Sequence, residues 1–252
     1  MKYSGKTDVG AKRTNNQDSF AVFSKDNYCC AIVCDGMGGA KGGNVASSLG
    51  VKTFASVVKK AFSATDPDSF TENQIRAPIT KAVNEANTVI YNRASGDEEL
   101  EGMGTTIVAV INCLCGTFAV NVGDSRVYRQ TENSFKQVST DHSFVQYLIN
   151  KGEITPSEAL MHPNRNIILR ALGVNESVEC DIFRIDVFEK ILLCTDGLTN
   201  HVSDARISEI ISGAYAAGGR LPSYKARTEK LIDEANENGG SDNITAVLLG
   251  NE

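Results

Sequence analysis

At 252 residues the chain fits one large domain spanning 1–252. It is 41% hydrophobic and 22% charged, with a net charge of -6; this fits a soluble globular protein and speaks against a nucleic-acid binder, whose footprint is a basic stripe. Its longest apolar runs are strand-length, far below the roughly 20 residues of a membrane helix. Met1-Lys2-Tyr3-Ser4-Gly5-Lys6 lacks the apolar stretch of a signal peptide, so the expected compartment is the cytoplasm, with no membrane partner.

Alternating residues predict strands over 3–9, 19–24 and 28–34. Val45, Leu49, Phe54, Val57, Val58, Ala61 and Phe62 fall at helical spacing over 44–62, and Ile75, Ile79, Val83, Ala86, Val89 and Ile90 do so over 72–94. The stretch 63–69 breaks the pattern between them. Strands return over 105–114, 117–122, 126–130 and 135–138. A less regular segment, about 141–173, carries short helices near 143–151 and 156–161 and reads as a flap inserted on the sheet. Strands over 178–186 and 190–195, helices near 204–212 and 221–237, and a strand over 244–249 complete the chain. Neighbouring strands with helices in pairs predict an α+β fold on antiparallel sheets.

Seven cysteines, an odd number, sit mostly inside apolar strands, where a thiol behaves as a small hydrophobe. Cys113-Leu114-Cys115 has the wrong spacing for a zinc ribbon and no histidine lies near any cysteine pair, so reduced core thiols are expected.

The chemistry is carried by aspartates at the ends of apolar runs. Cys29–Cys34 leads into Asp35-Gly36-Met37-Gly38-Gly39, and Ile191–Thr195 leads into Asp196-Gly197. Phe118–Gly123 leads into Asp124, and Asp242-Asn243 opens the run 244–249. A carboxylate at the mouth of a buried strand is costly unless something neutralises it. No lysine or arginine is adjacent to Asp35, Asp196 or Asp242 in sequence. Several acids converging on one sheet end, with glycines freeing carbonyls, point to oxygen ligands for hard divalent cations and to metal-assisted hydrolysis. Alone, each Asp-Gly pair reads equally well as a hairpin turn. Arg13-Thr14-Asn15-Asn16-Gln17-Asp18 adds specificity, because an arginine able to fork two donors onto a phosphoryl group precedes another acid. Gly36-Met37-Gly38-Gly39 has neither dinucleotide nor Walker spacing.

In this order, Arg13-x-x-Asn16-Gln17-Asp18, Asp35-Gly36-Met37-Gly38-Gly39, Gly104-Thr105-Thr106, Gly123-Asp124-Ser125-Arg126, Asp196-Gly197 and Asp242-Asn243 span essentially the whole chain. They resemble the metal-dependent phosphatases of the protein phosphatase 2C family in their compact bacterial form. The resemblance implies a four-layer α/β/β/α sandwich of two antiparallel sheets flanked by helix pairs. It also implies a Ser/Thr phosphoprotein phosphatase with two Mn²⁺ or Mg²⁺ ions and a third, weaker one. Carried onto this sequence, Asp35 bridges the two ions, the Gly36 carbonyl ligates one, Asp196 and Asp242 hold the other, and Asp18 acts on the second. Asp124, with Asp196, matches the third site; Arg13 binds the phosphoryl group; Asn243 orients Asp242. Paired cations acidify a shared water, so no covalent phosphoenzyme is required. Accordingly no cysteine is followed by an arginine at Cys-x5-Arg spacing.

Two positions depart from the pattern: Met37 stands where many eukaryotic relatives place a histidine, and Ala40 and Lys41 where many bacterial ones do. The general acid is therefore open, with water first among candidates; His142, His162 and His201 read as structural. The implied partners are phosphorylated proteins and a Ser/Thr kinase acting on the same substrates, the chain being a monomer. Competing readings are a non-catalytic phosphoprotein-binding module and a two-metal phosphohydrolase of small phosphate esters. The retained Asp18, Asp35, Asp196 and Asp242 weigh against the first.

Overall fold

The computed structural model describes residues 1–25, 27–65, 69–216 and 221–251, with Ala40 described by its backbone alone. Strands β1 (Lys2–Asp8), β2 (Asp18–Lys25) and β3 (Tyr28–Met37) precede two long helices, α1 (Gly39–Ala64) and α2 (Glu72–Ser95). After a short 3-10 turn at Glu98–Leu100 come β4 (Gly104–Thr105), β5 (Ile107–Cys113), β6 (Gly116–Val122), β7 (Arg126–Thr131) and β8 (Ser134–Gln137). Helices α3 (Phe144–Lys151) and α4 (Pro156–Leu160) lie in the irregular segment. Then follow β9 (Asp181–Ile185), β10 (Lys190–Cys194), α5 (Asp196–Thr199), α6 (Asp204–Ser212), α7 (Tyr224–Glu237) and β11 (Ile244–Gly250).

One sheet runs β1-β11-β10-β7-β8 and the other β2-β3-β5-β6-β9, with β4 paired to the end of β3. Every pairing is antiparallel. The two-residue period of a strand sorts the core into layers. On β3, Cys29, Ala31 and Val33 face the other sheet, meeting Ile191, Leu193 and Val247. Cys30, Ile32 and Cys34 face α1 and α2, whose Phe54, Val58, Ile79 and Val83 cover them. Leu192, Cys194, Ala246 and Leu248 pack under α6 and α7. The result is the expected α/β/β/α sandwich. All seven cysteines are free thiols.

Local signals explain most boundaries. Thr71 and Gln74 form a capping box at the start of α2, as Thr155 and Glu158 do at α4, where Pro156 occupies the first turn. Two of the departures from the sequence expectation lie beside the acid cluster. Helix α1 begins at Gly39 rather than at residue 44, because Gly42 and Gly43 sit inside its first turns despite their poor helix propensity. Tertiary contact overrides propensity there: a Cβ at 42 would crowd Met103, and one at 43 would crowd Gln17 and the Gly36 carbonyl. The 105–114 strand is split at Thr106, whose hydroxyl serves Asp35. Part of the predicted break 63–69, namely 66–68, lies outside the described residues. Among the described residues, no helix is long and apolar enough to cross a membrane.

Candidate active site

Five aspartates meet at one end of the sandwich because strands of both sheets begin or finish there. Asp18 opens β2 and lies directly opposite Asp35 on β3. Asp124 sits in the turn from β6 to β7. Cys194 pairs with Ala246, so the exit of β10 and the entry of β11 share an edge, bringing Asp196 and Asp242 together. Asp196 opens α5 rather than a hairpin turn, and its carboxylate accepts from Asn200 Nδ2 at 3.1 Å.

This arrangement is electrostatically unfavourable by itself. Burial pushes the Asp35 carboxyl well above its ordinary range, and the charges of Asp18, Asp196, Asp124 and Asp242 push it further. Burial raises Asp18 to about 7, opposed by hydroxyl bonds from Thr245 and Thr195 and aided by the Asp196 and Asp242 charges. Asp124 rises to about 8, chiefly by burial and then by the charges of Asp196 and Asp141. Asp196 is raised by burial and by Asp242. Among the described residues, none gives a hydrogen bond to the buried Asp18 Oδ1.

The donor set is hard oxygen throughout: carboxylates plus a peptide carbonyl. Gly36 pairs with Thr105, and the absence of a side chain at Gly43 leaves the Gly36 carbonyl uncovered. Among the described residues, no three His, Cys, Asp or Glu side chains already surround one point in ligand-ready geometry. Even so, mutually repelling buried acids, one of them with an orphaned oxygen, suit divalent cations such as Mg²⁺ or Mn²⁺ and little else.

The cluster's supports were partly hidden from sequence. Asp18 Oδ2 accepts from Thr195 Oγ1 at 2.9 Å and Thr245 Oγ1 at 2.7 Å, tying β2 of one sheet to β10 and β11 of the other. Thr106 Oγ1 accepts the Asp35 N–H at 3.0 Å, and Thr105 Oγ1 donates to the Asp35 carbonyl at 2.7 Å. These two threonines are therefore more than strand fillers. Polar residues interrupting apolar strands beside an acid, as at Thr195 and Thr245, were the available signal. Arg126 grips Asp141 through Nε and Nη2, at 3.0 and 2.8 Å to Oδ2.

Arg13 reaches the cluster but is engaged there: Nη2 lies 2.9 Å from Asp242 Oδ2. Asn243 meets Asp242 through its backbone rather than its side chain. Its backbone N–H donates to Asp242 Oδ1 at 2.8 Å, while its side chain accepts the Gln17 N–H and donates to the Val9 and Asn15 carbonyls. It pins the loop that carries Arg13. His162 Nδ1 accepts the Asn164 N–H and His201 Nε2 accepts the Ser241 N–H, each a local structural role. Lys41 is turned to Glu99 at 2.8 Å.

Beside Asp124 and Asp196 a cavity of about 230 Å³ opens beneath the irregular segment, lined also by Arg126, Gln146, Arg165 and Asn166.

A family model for protein phosphatase 2C matches residues 9–248. The serine/threonine phosphatase stp of Listeria monocytogenes serovar 1/2a is 39% identical over 247 residues, covering 97% of this chain and 93% of its own. The crystal structure of serine/threonine phosphatase Stp1 from Staphylococcus aureus superposes with a TM-score of 0.86 at 32% identity, covering 99% of this chain and 94% of that one. The catalytic domain of serine threonine protein phosphatase PstP in complex with 2 manganese ions gives a TM-score of 0.77 at 31% identity, covering 98% and 96%.

Proposed function

The chain belongs to the protein phosphatase 2C family and is a serine/threonine phosphatase, and from that premise we propose that it hydrolyses phosphoserine and phosphothreonine in proteins at a divalent-cation centre. The observation that carries this reading is the cluster of five aspartates, four of them raised by burial and by the neighbouring charges, which Arg126 and the Thr195, Thr245 and Asn200 hydrogen bonds oppose without cancelling. Asp35, the Gly36 carbonyl, Asp196 and Asp242 are the residues that would hold two ions, with Asp18 alongside and Asp124 with Asp196 at a weaker third position. Mn²⁺ or Mg²⁺ bound there supplies an acidified water and positive charge against the phosphoryl oxygens.

The chain's own residues do the rest. Arg13, on a loop pinned by Asn243, presents a forked donor to the phosphoryl group. Thr105 and Thr106 fix the backbone of Asp35, so the carboxylate needs no reordering when a substrate arrives. Thr195 and Thr245 hold one oxygen of Asp18 and leave the other free. Met37 and Ala40-Lys41 stand where relatives carry a histidine, so we assign the proton of the leaving alkoxide to water. The physiological partners are phosphorylated proteins and a Ser/Thr kinase acting on them, the chain works as a cytoplasmic monomer, and the 141–173 flap screens substrates.

Purified protein should hydrolyse p-nitrophenyl phosphate and phosphothreonine peptides with Mn²⁺ or Mg²⁺ and fall silent in EDTA. Full activity in chelator would exclude the cation centre.

A further inference from the structure

One buried residue joins the acid cluster to both ends of the irregular segment. His142 is 8% exposed, and its Nδ1 accepts the Gly123 N–H at 3.1 Å. In the neutral ring the proton therefore sits on Nε2, which donates to Asp181 Oδ2 at 3.1 Å. The backbone of the same residue closes the junction. Its N–H donates to the Gly123 carbonyl at 2.9 Å, and its carbonyl accepts the Leu169 N–H of the returning limb at 2.7 Å. Arg170, on that limb, places Nη1 3.4 Å from Asp181 Oδ1 and Nη2 3.8 Å from Glu179. Arg170 Nη1 also lies 3.4 Å from Nε2, but two hydrogen-bearing nitrogens do not bond, so Asp181 is the shared acceptor.

Gly123 is held from its other side as well. Its φ is +111°, and a Cβ there would stand 2.6 Å from Thr106 Cγ2. Thr106 is the residue whose hydroxyl carries the Asp35 N–H. The peptide that delivers Asp124 is thus clamped between Thr106 and His142.

We propose that His142 is a positioning residue: it fixes the Gly123–Asp124 backbone, and with it the Asp124 carboxylate, while anchoring the departing and returning limbs of the 141–173 segment to the same point. The ring touches no reacting atom and acts only through Gly123. This inference rests on the phosphatase reading, where Asp124 belongs to the weaker cation position. Without the Nδ1 acceptor, the Gly123 N–H is left buried and unmatched, and a shift of the Val122–Gly123 peptide that relieves it moves the residue that carries Asp124. A carboxylate that must be ordered on binding holds its cation less tightly than one already in place.

The test compares wild type with His142→Leu, His142→Asn, His142→Gln and Asp181→Ala. Calorimetric Mn²⁺ binding and NMR amide exchange at Gly123 in EDTA are measured beside turnover of p-nitrophenyl phosphate. His142→Leu should weaken the weaker Mn²⁺ step about 10-fold, the scale of one buried donor left unmatched, and should accelerate Gly123 exchange. His142→Asn, whose Oδ1 can accept the Gly123 N–H, should recover most of both. Asp181→Ala keeps that bond and should leave Gly123 protected. If His142→Leu only lowers the melting temperature, with Mn²⁺ binding and exchange unchanged, the ring merely fills space and the proposal fails. If His142→Leu does not fold, Asn against Gln decides: a near-native Gln with a weakened Asn overturns the proposal. A wild-type protein that binds Mn²⁺ without hydrolysing phosphate esters would sink the phosphatase reading, while Gly123 exchange would still judge His142.

Discussion

Arg13 and Asp242 form an ion pair across the rim of the acid cluster, Nη2 to Oδ2 at 2.9 Å, with the two side chains 51% and 36% exposed. The other oxygen of Asp242 accepts the Asn243 N–H. Each oxygen already has a partner, and a cation that binds at Oδ2 competes with the guanidinium for it. Displaced, Arg13 is free to turn its fork to a phosphoryl group.

Arg13→Ala should accordingly raise KM more than it lowers kcat, by about 10-fold, the scale of one charge-assisted hydrogen bond. It should also tighten Mn²⁺ binding slightly, because a competitor for Asp242 is gone. An exposed pair contributes at most about 1 kcal/mol to folding, so the melting temperature should hardly move. Steady-state kinetics and a Mn²⁺ titration check both halves. A fall in kcat with unchanged KM would assign Arg13 a different task.

The raised aspartates give the metal-free protein a defined pH response. Asp18 and Asp124 titrate at about 7 and about 8 when folded, and Asp35 and Asp196 are also raised, against an ordinary value of 3.8. Each binds its proton more tightly folded than unfolded. Its stabilising contribution is therefore complete below the unfolded value and is lost as pH climbs through the folded one. In EDTA the melting temperature should fall between pH 5 and pH 8.5, and the increment on adding Mn²⁺ should grow over the same range. An increment independent of pH would mean that the cation binds elsewhere.

Asp35→Asn separates stability from function at a single position. The amide keeps the shape but removes the charge that faces Asp18, Asp196, Asp124 and Asp242. In EDTA at pH 8 the variant should melt higher, at about 2–4 °C per kcal/mol of repulsion relieved in a domain this size. Nearly all turnover should vanish. Such opposition between stability and activity marks strained functional sites. A variant that melts lower and retains activity would remove Asp35 from the centre.

Much of this arrangement is legible in the sequence because strand alternation and the Asp-Gly steps are local signals. Cys29 to Cys34 alternate between two cores in the structure as their period demands. What could not be read is whatever depends on distant neighbours. Thr245 and Asp18 are 227 positions apart, so the hydroxyl that steadies the acid resembles any β-branched strand residue. Gly42 and Gly43 argue against a helix locally, yet α1 runs through them because Met103 and Gly36 approach too closely for side chains. His142 looked structural, as it is, but its grip on Gly123 is a tertiary fact.

The proposed screening role of the 141–173 segment requires it to move between fixed ends. Helix α3 has no buried residue and α4 buries only Ala159, so the segment has almost no core of its own. Leu160 and Met161 are 73% and 84% exposed. Its ends, by contrast, are pinned by bridges from Ser143 to Ile168 and from Thr105 to Leu172, and by the Arg126–Asp141 pair. Few buried contacts make opening inexpensive, and such segments commonly gate substrates. Arg165 lines the cavity beside Asp124 and Asp196, where residues flanking a phosphoserine would lie. Replacing Asn164 and Arg165 by alanine, or shortening the loop between α3 and α4, should change phosphopeptide turnover while sparing p-nitrophenyl phosphate, which has no flanking peptide residues for the segment to hold. A rigid cap predicts otherwise: a lower melting temperature and an equal loss on both substrates. Parallel kinetics with a melting curve for each variant distinguish the two, and equal losses would retire the gating role.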